Sequence, residues 1–429
     1  MIDRLAPALR EAARRFGTPL YATDLVTLAE SAAAVRSAFP DPIVRAFSLK
    51  ANDVAAIARE VGLLGFDANV VSAGEWAIAR RAGFPNARIT FEGVGKTDAE
   101  LAAAVRAADR GQPLRWLAIE SLDELEALRS ILRRATPAGG RSVDVLFRLN
   151  PDVVPETIAA LAVGAPASKF GLTADELTEA VSIAADTPGL APRGVHLHVG
   201  SQLRAVDAWR DAVRRGLALV ALLGGSLPRF DTLDLGGGFP VLPEADAALG
   251  PAPERFAREL QPLLDALPED RRPARLAIEP GRALVARAGV LVGRVLHVRE
   301  RGGRQVVLDT GMTELIRPAL YGARHDIVAL TSLGRAYESA PGSQHDPRLD
   351  PALEPARVEG PICESTDHLG EHALPALRRG DLVAILDAGA YGASLASAYN
   401  GRPRPPQVFI EADGSLRLAR RRGARAALG

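Results

Sequence analysis

Short apolar runs alternate with longer Ala-, Leu- and Arg-rich stretches through the first two thirds of the chain. The runs predict β-strands at residues 43–48, 66–71, 88–91, 116–119, 143–149, 194–199, 232–235 and 275–278. The stretches between them predict helices at residues 53–61, 73–82, 98–108, 122–133, 174–185 and 208–222. Eight strands in alternation with helices, within about 240 residues, are typical of a closed parallel (β/α)8 barrel of the TIM type.

The pattern changes after Arg282, where predicted strands follow one another with little helix between them. These strands are VLVGRVLHV, RQVVLDT, ARVEGPIC, DLVAILDAG and PQVFIE. We therefore predict an α/β chain with a barrel over residues 25–282 and a β domain made of residues 1–24 and 283–429. The polar, Pro-rich segment 333–355 is expected to be a surface loop of that domain, and the basic tail from Arg417 a solvated end.

Composition and charge narrow the class of protein. The 429 residues are 47% hydrophobic and 24% charged, as in soluble globular proteins. The 52 Lys and Arg residues balance 52 Asp and Glu, so no overall field draws nucleic acid or an anionic membrane to the chain. The single cysteine, Cys363, excludes an internal disulfide and favours a reducing compartment. The N-terminal run also lacks the apolar centre of a signal peptide, so we expect a cytoplasmic protein.

Polar residues that could carry chemistry follow several of the predicted barrel strands. They are Lys50 after the first strand, His196 and His198 on the sixth, Gly236, Gly237 and Gly238 after the seventh, and Glu279 and Arg282 after the eighth. Active sites of (β/α)8 barrels lie at the carboxyl ends of the strands. These side chains are therefore expected at one mouth.

Each residue also has an ordinary structural interpretation. Lys50 could extend to solvent along its apolar stem, and the glycines could form a bare tight turn. Glu279 could cap the next turn, and Arg282 could be a surface cation. Two histidines on one strand face could pack, stack on a ring or bind a metal, but the sequence shows no HExxH motif or nearby carboxylate pair to complete a metal site. We therefore expect no metal.

Together, the residues meet the requirements of one cofactor. A desolvated lysine can form a Schiff base with a carbonyl group, and a Gly-rich loop with an arginine can bind a phosphate. A carboxylate can keep a pyridine nitrogen protonated, which favours carbanion-forming reactions such as loss of CO2. Pyridoxal 5′-phosphate is the cofactor that has a carbonyl group, a phosphate and a pyridine nitrogen, so these residues predict that it binds here. Two nucleotide-binding interpretations are weak. Residues 93–97 resemble the end of a P-loop, but the motif lacks its first glycine, and residues 236–240 lack the GxGxxG spacing of a dinucleotide site.

The chain resembles the fold-type III pyridoxal-phosphate decarboxylases, in particular the diaminopimelate decarboxylases, from TPLY at 18–21 to NGRPR at 400–404. The shared motifs are SLKAN, HVGSQ, the triple glycine and EPGR, followed by RPALY, CES and AGAYG. The resemblance implies an alanine racemase-like fold, in which the barrel is followed by a C-terminal β-sandwich or β-barrel domain.

The resemblance also implies a role for each matching barrel residue. Lys50 is expected to be the Schiff-base lysine, His198 to stack on the cofactor ring, and Glu279 to face the pyridine nitrogen. The residues expected to bind the phosphate are Ser201, Gly236, Gly237, Gly238, Gly281 and Arg282. Arg282 is also a candidate for the substrate carboxylate.

The β-domain motifs are expected to bind substrate and complete the site. By the resemblance, Arg317 and Tyr321 bind the substrate carboxylate, and Tyr391 contacts the cofactor and substrate. Cys363 donates a proton, and Glu364 binds the distal amine. A thiol beside Glu364 would tend to stay protonated by like-charge repulsion, although a merely buried cysteine is an alternative interpretation.

The implied reaction is decarboxylation of meso-2,6-diaminopimelate to L-lysine and CO2, in lysine biosynthesis, by a homodimer whose subunits share active sites. The stretch 156–167, GVGK at 93–96 and FP at 239–240 depart from the family's pattern. A related decarboxylase acting on D-lysine, D-ornithine, a carboxyalkyl-polyamine or a carrier-bound amino acid therefore stays an alternative. A non-catalytic cofactor-binding protein is disfavoured, because the β-domain motifs are retained.

Overall fold

A computed structural model of the chain describes residues 2–134, 142–157, 161–164, 168–242, 250–338 and 352–424. It divides into two compact units. One unit, here the barrel unit, is Ala32–Ala283, and the other, here the sheet unit, combines Met1–Ser31 with Leu284–Gly429. In the described ranges, no helix is both long and apolar enough to cross a membrane.

The barrel unit contains a closed barrel of eight parallel strands, which confirms the predicted fold class. In chain order these strands are β2 (Val44–Ser48), β3 (Asp67–Val70), β4 (Ile89–Phe91), β5 (Trp116–Ile119), β6 (Val143–Leu149), β7 (Leu190–Leu197), β8 (Thr232–Asp234) and β9 (Arg275–Ile278). Each pairs with the next, and β9 pairs with β2 to close the ring. The predicted bounds hold within one residue except for β7, which begins and ends earlier than predicted.

The strand β7 begins early because its first residues pair with β6, which the apolar pattern did not predict. Its first residues, Leu190 to Pro192, pair in register with Val143 to Val145 of β6, and the register then shifts. Gly194 has φ +157°, and a Cβ there would lie 1.8 Å from the carbonyl oxygen of Thr232. Glycine is therefore required where β7 passes β8.

Helices connect successive barrel strands. They are α3 (Ala55–Leu63), α4 (Ala73–Ala82), α5 (Asp98–Asp109), α6 (Leu122–Arg134), α7 (Ala174–Ala185), α8 (Asp207–Gly224) and α9 (Pro253–Asp265), while α2 (Leu25–Ala38) precedes β2 and α10 (Arg282–Val285) follows β9. Thr97 and Thr173 begin α5 and α7 with complete capping boxes to Glu100 and Glu176. Such a box satisfies backbone N–H groups that the first helical turn leaves without partners. The starts of α5 and α7 could therefore be predicted from the sequence.

In the part of the sheet unit that the structure describes, nine strands form one mixed sheet. These strands are β1 (Leu20–Asp24), β10 (Gly289–Glu300), β11 (Arg304–Leu308), β12 (Ile327–Ala329), β15 (Glu354–Glu359), β16 (His368–Leu374), β17 (Leu382–Ile385), β18 (Gln407–Ile410) and β19 (Leu416–Arg420). The strand β1, from the beginning of the chain, pairs with β10 and β18 in the middle of the sheet. The order along the main path is β16-β15-β11-β10-β1-β18-β19.

Along the first part of β10, both faces of this sheet are buried. Alternate residues of β10 belong to two different apolar clusters, Leu291 and Val295 to one, Val290 and Val292 to the other. The second cluster includes the apolar side of α1 (Ile2–Phe16), whose buried residues are Ile2, Leu5, Leu9, Ala12 and Ala13. Spacings of three and four residues place these side chains on one helix face, which covers the sheet.

Two expectations about the surface of this unit are wrong in part. Within the predicted loop 333–355, residues Arg335–Ala336 form strand β14, which pairs with β13 (Thr331–Ser332), while residues 339–351 lie outside the described part of the chain. The basic tail is not a free end at its start, because β19 pairs with β18, although Arg417 and Leu418 are exposed there. There the guanidinium of Arg417 lies 4.4 Å from the ring centre of Phe409 and donates to Glu411.

Candidate active site

A cavity of about 380 Å³ lies in the barrel unit and is lined by residues from several strand ends. Lys50, His196, His198 and Glu279 all line it, whereas the other residues expected at this mouth are not among its lining residues, namely Gly236, Gly237, Gly238 and Arg282. Lys50 belongs to a single 3-10 turn, Leu49–Ala51, directly after β2. The structure therefore places an amine, two imidazoles and a carboxylate around one space.

Glu279 is held in place through both its backbone and its side chain. Its N–H donates to the carbonyl of Gly236 at 2.9 Å, and its carbonyl accepts from the Ser48 hydroxyl at 3.2 Å. The side chain is 1% exposed, and its Oε1 accepts a hydrogen bond of 3.0 Å from the amide of Asn69. A carboxylate fixed in this way is not a turn cap at the surface.

The two histidines are both neutral but have different surroundings. His196, on β7, is 1% exposed, and burial lowers its pKa to about 4. His198 follows the end of β7 at Leu197, and burial, followed by the positive charge of Lys50, lowers its pKa well below the usual value. Its Nδ1 accepts the N–H of Gly237 at 3.3 Å, so the ring proton is on Nε2.

The triple glycine allows strand ends to approach one another closely. A Cβ at Gly236 would lie 2.1 Å from the carbonyl oxygen of Leu197, and one at Gly237 would lie 2.5 Å from that of Glu279. Gly236 also has φ +68°, and its N–H donates to Asp234 at 3.0 Å. Backbone packing therefore requires these glycines, and the loop is more than a bare tight turn.

Ser201 and Arg282 come together from separate strand ends. The Arg282 Nη2 donates to the Ser201 hydroxyl at 3.1 Å. Arg282 is only 6% exposed, so it is not an ordinary surface cation. A guanidinium and a hydroxyl beside a glycine loop are suitable donors for a phosphate.

Sequence reasoning assigned no role to several buried charged residues around the cavity. Glu92, directly after β4, has its Oε2 3.2 Å from the His196 Nε2, and Glu279 lies 3.4 Å from the same nitrogen. The expectation that no carboxylate pair lies near the histidines is therefore wrong. Burial and then repulsion from Glu279 raise the pKa of Glu92 to about 8, and burial raises the pKa of Asp234 well above its usual value. Arg148 makes a buried ion pair of 2.8 Å with Glu120.

In the sheet unit, the structure holds Arg317 by a buried histidine. Arg317 begins the short helix α11 (Arg317–Tyr321) and is 7% exposed. Its Nη1 lies 2.7 Å from the Nε2 of His325, whose Nδ1 is 2.9 Å from the carbonyl oxygen of Leu386. A guanidinium can only donate, so His325 Nε2 accepts and its Nδ1–H donates. Tyr321 ends the same helix, and Tyr391 occupies a left-handed turn with φ +58°.

Cys363 and Glu364 lie in an exposed turn after β15. Their exposure excludes the interpretation of Cys363 as a buried packing residue. The Asn400 amide lies 3.6 Å from the Cys363 sulfur, and the Tyr399 hydroxyl donates to Glu364. Sequence reasoning assigned no role to these two neighbours, although Asn400 is the first residue of NGRPR and Tyr399 directly precedes it.

Asp367 fixes the turn that carries the cysteine. Its Oδ2 accepts the N–H of Ile362 at 2.7 Å, and its Oδ1 accepts the N–H of Met312 at 2.6 Å. A Cβ at Gly311 or Gly360 would lie within 2.2 Å of an Asp367 oxygen. The glycines therefore let a buried carboxylate reach the backbone of this turn and that of the segment after β11.

Comparisons with known proteins agree with this geometry. Residues 25–286 match the family model described as pyridoxal-dependent decarboxylase, pyridoxal binding domain. A diaminopimelate decarboxylase from Actinosynnema pretiosum subsp. auranticum is 40% identical over 423 residues, which cover 96% of this chain and 88% of the relative. One from Aquifex aeolicus is 34% identical over 417 residues, covering 97% and 91%. The chain belongs to the diaminopimelate decarboxylase family.

Solved structures extend the likeness to the whole fold. The crystal structure of diaminopimelate decarboxylase from Helicobacter pylori complexed with L-lysine has a TM-score of 0.85 and 29% identity, and the match covers 98% of both chains. Membership in this family gives the chain pyridoxal 5′-phosphate as its cofactor. The barrel residues fit that group, because Glu279 is a buried carboxylate in a cavity that Lys50 also lines, and Arg282 meets Ser201 beside the glycine loop.

Proposed function

We propose that the chain decarboxylates meso-2,6-diaminopimelate to L-lysine and CO2 as a pyridoxal-phosphate enzyme of lysine biosynthesis. The observation that carries the proposal is the convergence of Lys50, His198 and Glu279 on one cavity. The family's relatives have that activity in their names. We also propose a cytoplasmic location. Among the described residues no helix is long and apolar enough to cross a membrane, which agrees with this part of the proposal.

The barrel residues would hold the cofactor, which supplies an electron-withdrawing ring for the electron pair left by departing CO2. Lys50 would bind its carbonyl carbon, and Ser201, Arg282 and the glycine loop would hold its phosphate. Glu279, anionic and buried, would keep a proton on the pyridine nitrogen. His198 would pack on the ring as a neutral imidazole, which adds no charge to compete with that proton.

The sheet-unit residues would select the substrate. Arg317 presents a planar pair of donors to a carboxylate, and the neutral His325 limits how it can rotate. With Tyr321 it would bind the carboxylate at the far end of diaminopimelate, while Glu364 would bind the far ammonium. Tyr391 would contact cofactor and substrate.

We further propose that the active enzyme is a homodimer in which Cys363 and Glu364 serve the partner's site. Their exposure supports this, because residues that act on a neighbouring subunit must lie at the surface of their own chain. In that role the Cys363 thiol would protonate the carbon that has lost CO2.

Release of CO2 from a panel of amino acids tests the substrate. The purified holoenzyme is assayed with meso-diaminopimelate, D-lysine and D-ornithine. We expect kcat/KM for diaminopimelate to be higher by about a hundredfold or more, because the shorter acids leave the buried Arg317 without a carboxylate. Comparable values would instead favour the alternative, a related decarboxylase of diamino acids with one carboxylate. No CO2 from any acid would favour a cofactor-binding protein.

A further inference from the structure

Glu92 is a buried acid that the proposed reaction does not use. It directly follows β4, its side chain is 5% exposed, and it lines the cavity together with Glu279. One donor or acceptor atom from each of Glu92, His196 and Glu279 lies within 4.8 Å of the other two. A second carboxyl group therefore lies beside the one assigned to the pyridine nitrogen.

The hydrogen-bond donors around the pair favour charge on Glu279. Asn69 has two amide hydrogens, and its nitrogen lies 3.0 Å from both the Thr90 hydroxyl and Glu279 Oε1. A donor of this kind stabilises an ionised carboxylate. Asn69 also lowers the pKa of Glu92, but burial and Glu279 outweigh it, and within the described ranges Glu92 Oε1 is buried without a hydrogen-bond partner.

His196 cannot donate a hydrogen bond to both Glu92 and Glu279. Its Nε2 lies 3.2 Å from Glu92 and 3.4 Å from Glu279, but a neutral imidazole has only one N–H. A third buried acid, Asp234, faces the same pair and already takes the N–H of Gly236. Among the described residues, the donors that face the pair therefore suffice to stabilise one ionised carboxylate.

The nearby cations also have acidic partners of their own. Arg148 is paired with Glu120 at 2.8 Å, and Lys96 with Glu124 at 2.9 Å. The charge of Lys50 lowers the pKa of His196 and of His198, whereas the largest charge effect on the pKa of Glu92 is that of Glu279. Two adjacent buried carboxyl groups that repel each other in this way share a proton rather than both ionise.

We propose that Glu92 is a positioning residue that stays protonated and donates its O–H to Glu279, so that the pair holds one negative charge and Glu279 directs it at the pyridine nitrogen. The inference rests on the proposed function for the role of Glu279. The raised pKa of Glu92, about 8, agrees with the protonated form at neutral pH. A neutral acid beside Glu279 fixes the orientation of its carboxylate without adding a second charge.

Infrared difference spectroscopy of the apoprotein tests the protonation state without any turnover. A protonated carboxylic acid has a carbonyl stretch separate from the amide and carboxylate bands. The wild type at neutral pH is expected to show one such band that is absent from Glu92→Gln. An identical carbonyl region in the two proteins would overturn the proposal. A stoichiometric metal ion in the purified apoprotein would also overturn it, because a cation would keep both carboxylates ionised.

Two substitutions of similar size then test the positioning role in the holoenzyme. Glu92→Met removes the donor and is expected to weaken cofactor binding and lower kcat by about tenfold or more, the effect of losing one hydrogen bond to a charged acceptor. Glu92→Gln keeps a neutral donor and should rescue most of both losses. Equal losses in the two variants would show that Glu92 acts as an anion, and equal retention would show that it does not position Glu279.

These outcomes separate the inference from the proposed function. Infrared bands and the dissociation constant of the cofactor need no substrate. If diaminopimelate is not decarboxylated but the band and the Gln rescue are found, the proposed function fails and the Glu92–Glu279 pair stands. If diaminopimelate is decarboxylated and the band is unchanged, only the pair fails.

Discussion

Replacing Glu92 with Gln is expected to stabilise the barrel unit of the apoprotein, and increasingly so as the pH rises. In the unfolded chain Glu92 ionises near its usual pKa of 4.5, whereas in the folded protein burial and Glu279 raise the pKa to about 8. Between these values the folded state binds one more proton than the unfolded state. The free energy of unfolding of the wild type therefore falls as pH rises through this window, by about 1.4 kcal/mol per pH unit.

Across the whole interval the effect of Glu92 has an upper limit of about 5 kcal/mol. Gln does not titrate, so the stability difference between Glu92→Gln and wild type should grow by about 1 kcal/mol from pH 6.5 to 7.5. This range lies above the pH at which His196 affects the free energy of unfolding. Folding lowers the pKa of His196 from 6.5 to about 4, so the free energy of unfolding falls as the pH drops below 6.5. Asp234 is present in both proteins.

Urea unfolding followed by tryptophan fluorescence measures this difference. All three tryptophans, Trp76, Trp116 and Trp209, belong to the barrel unit, so the signal reports on that unit. Glu179→Gln, the same substitution on an exposed position of α7, is the matched control and should leave the pH slope unchanged. A difference that stays constant or shrinks as the pH rises would refute the protonated state of Glu92.

Three further predictions concern the catalytic and substrate residues. Glu279→Gln keeps the shape but removes the charge that holds the pyridine proton, so kcat should fall about a hundredfold or more while the cofactor still binds. Arg317→Lys loses the planar pair of donors, and KM for diaminopimelate should rise about tenfold or more with a smaller change in kcat. Lys50→Ala and Cys363→Ala should each be inactive, but a mixture that exchanges subunits should regain part of the activity, because one hybrid site has both residues.

Each of these has a clear contrary result. Near-normal turnover of Glu279→Gln would contradict the assignment of the pyridine nitrogen. An unchanged KM in Arg317→Lys would remove Arg317 from the substrate carboxylate. Failure of the mixed variants to complement, when exchange is shown separately by mass spectrometry, would place Cys363 outside the partner's site.

The barrel was predictable because its strands are buried on both faces and so appear as apolar runs. The strands at Trp116–Ile119 and Val143–Leu149 have the bounds that the sequence predicted. The sheet unit was harder, since a strand such as β16 (His368–Leu374) alternates polar and apolar residues, and β19 begins in a basic tail. The pairing of β1 with β10 joins residues far apart in the chain, which no local pattern can reveal.

The site was predictable where chemistry-bearing residues follow long strands. Lys50 and Glu279 were found by this rule, and the structure brings them to one cavity. Glu92 was missed, although it follows β4 directly, because that strand has only three residues and the glycines after it suggested a nucleotide loop. The rule that locates Lys50 would also have located Glu92.

The assignment of Lys50 as the cofactor lysine can be tested directly by borohydride reduction and peptide mapping. The chain has three lysines, Lys50, Lys96 and Lys169. Lys96 has a side chain with 0% exposure that is paired with Glu124, and Lys169 is exposed, whereas Lys50 lines the cavity with Glu279. Reduction of the yellow holoenzyme should attach the cofactor to the peptide containing Lys50, and Lys50→Ala should give no labelled peptide. A label on Lys96 or Lys169 would contradict the proposed site.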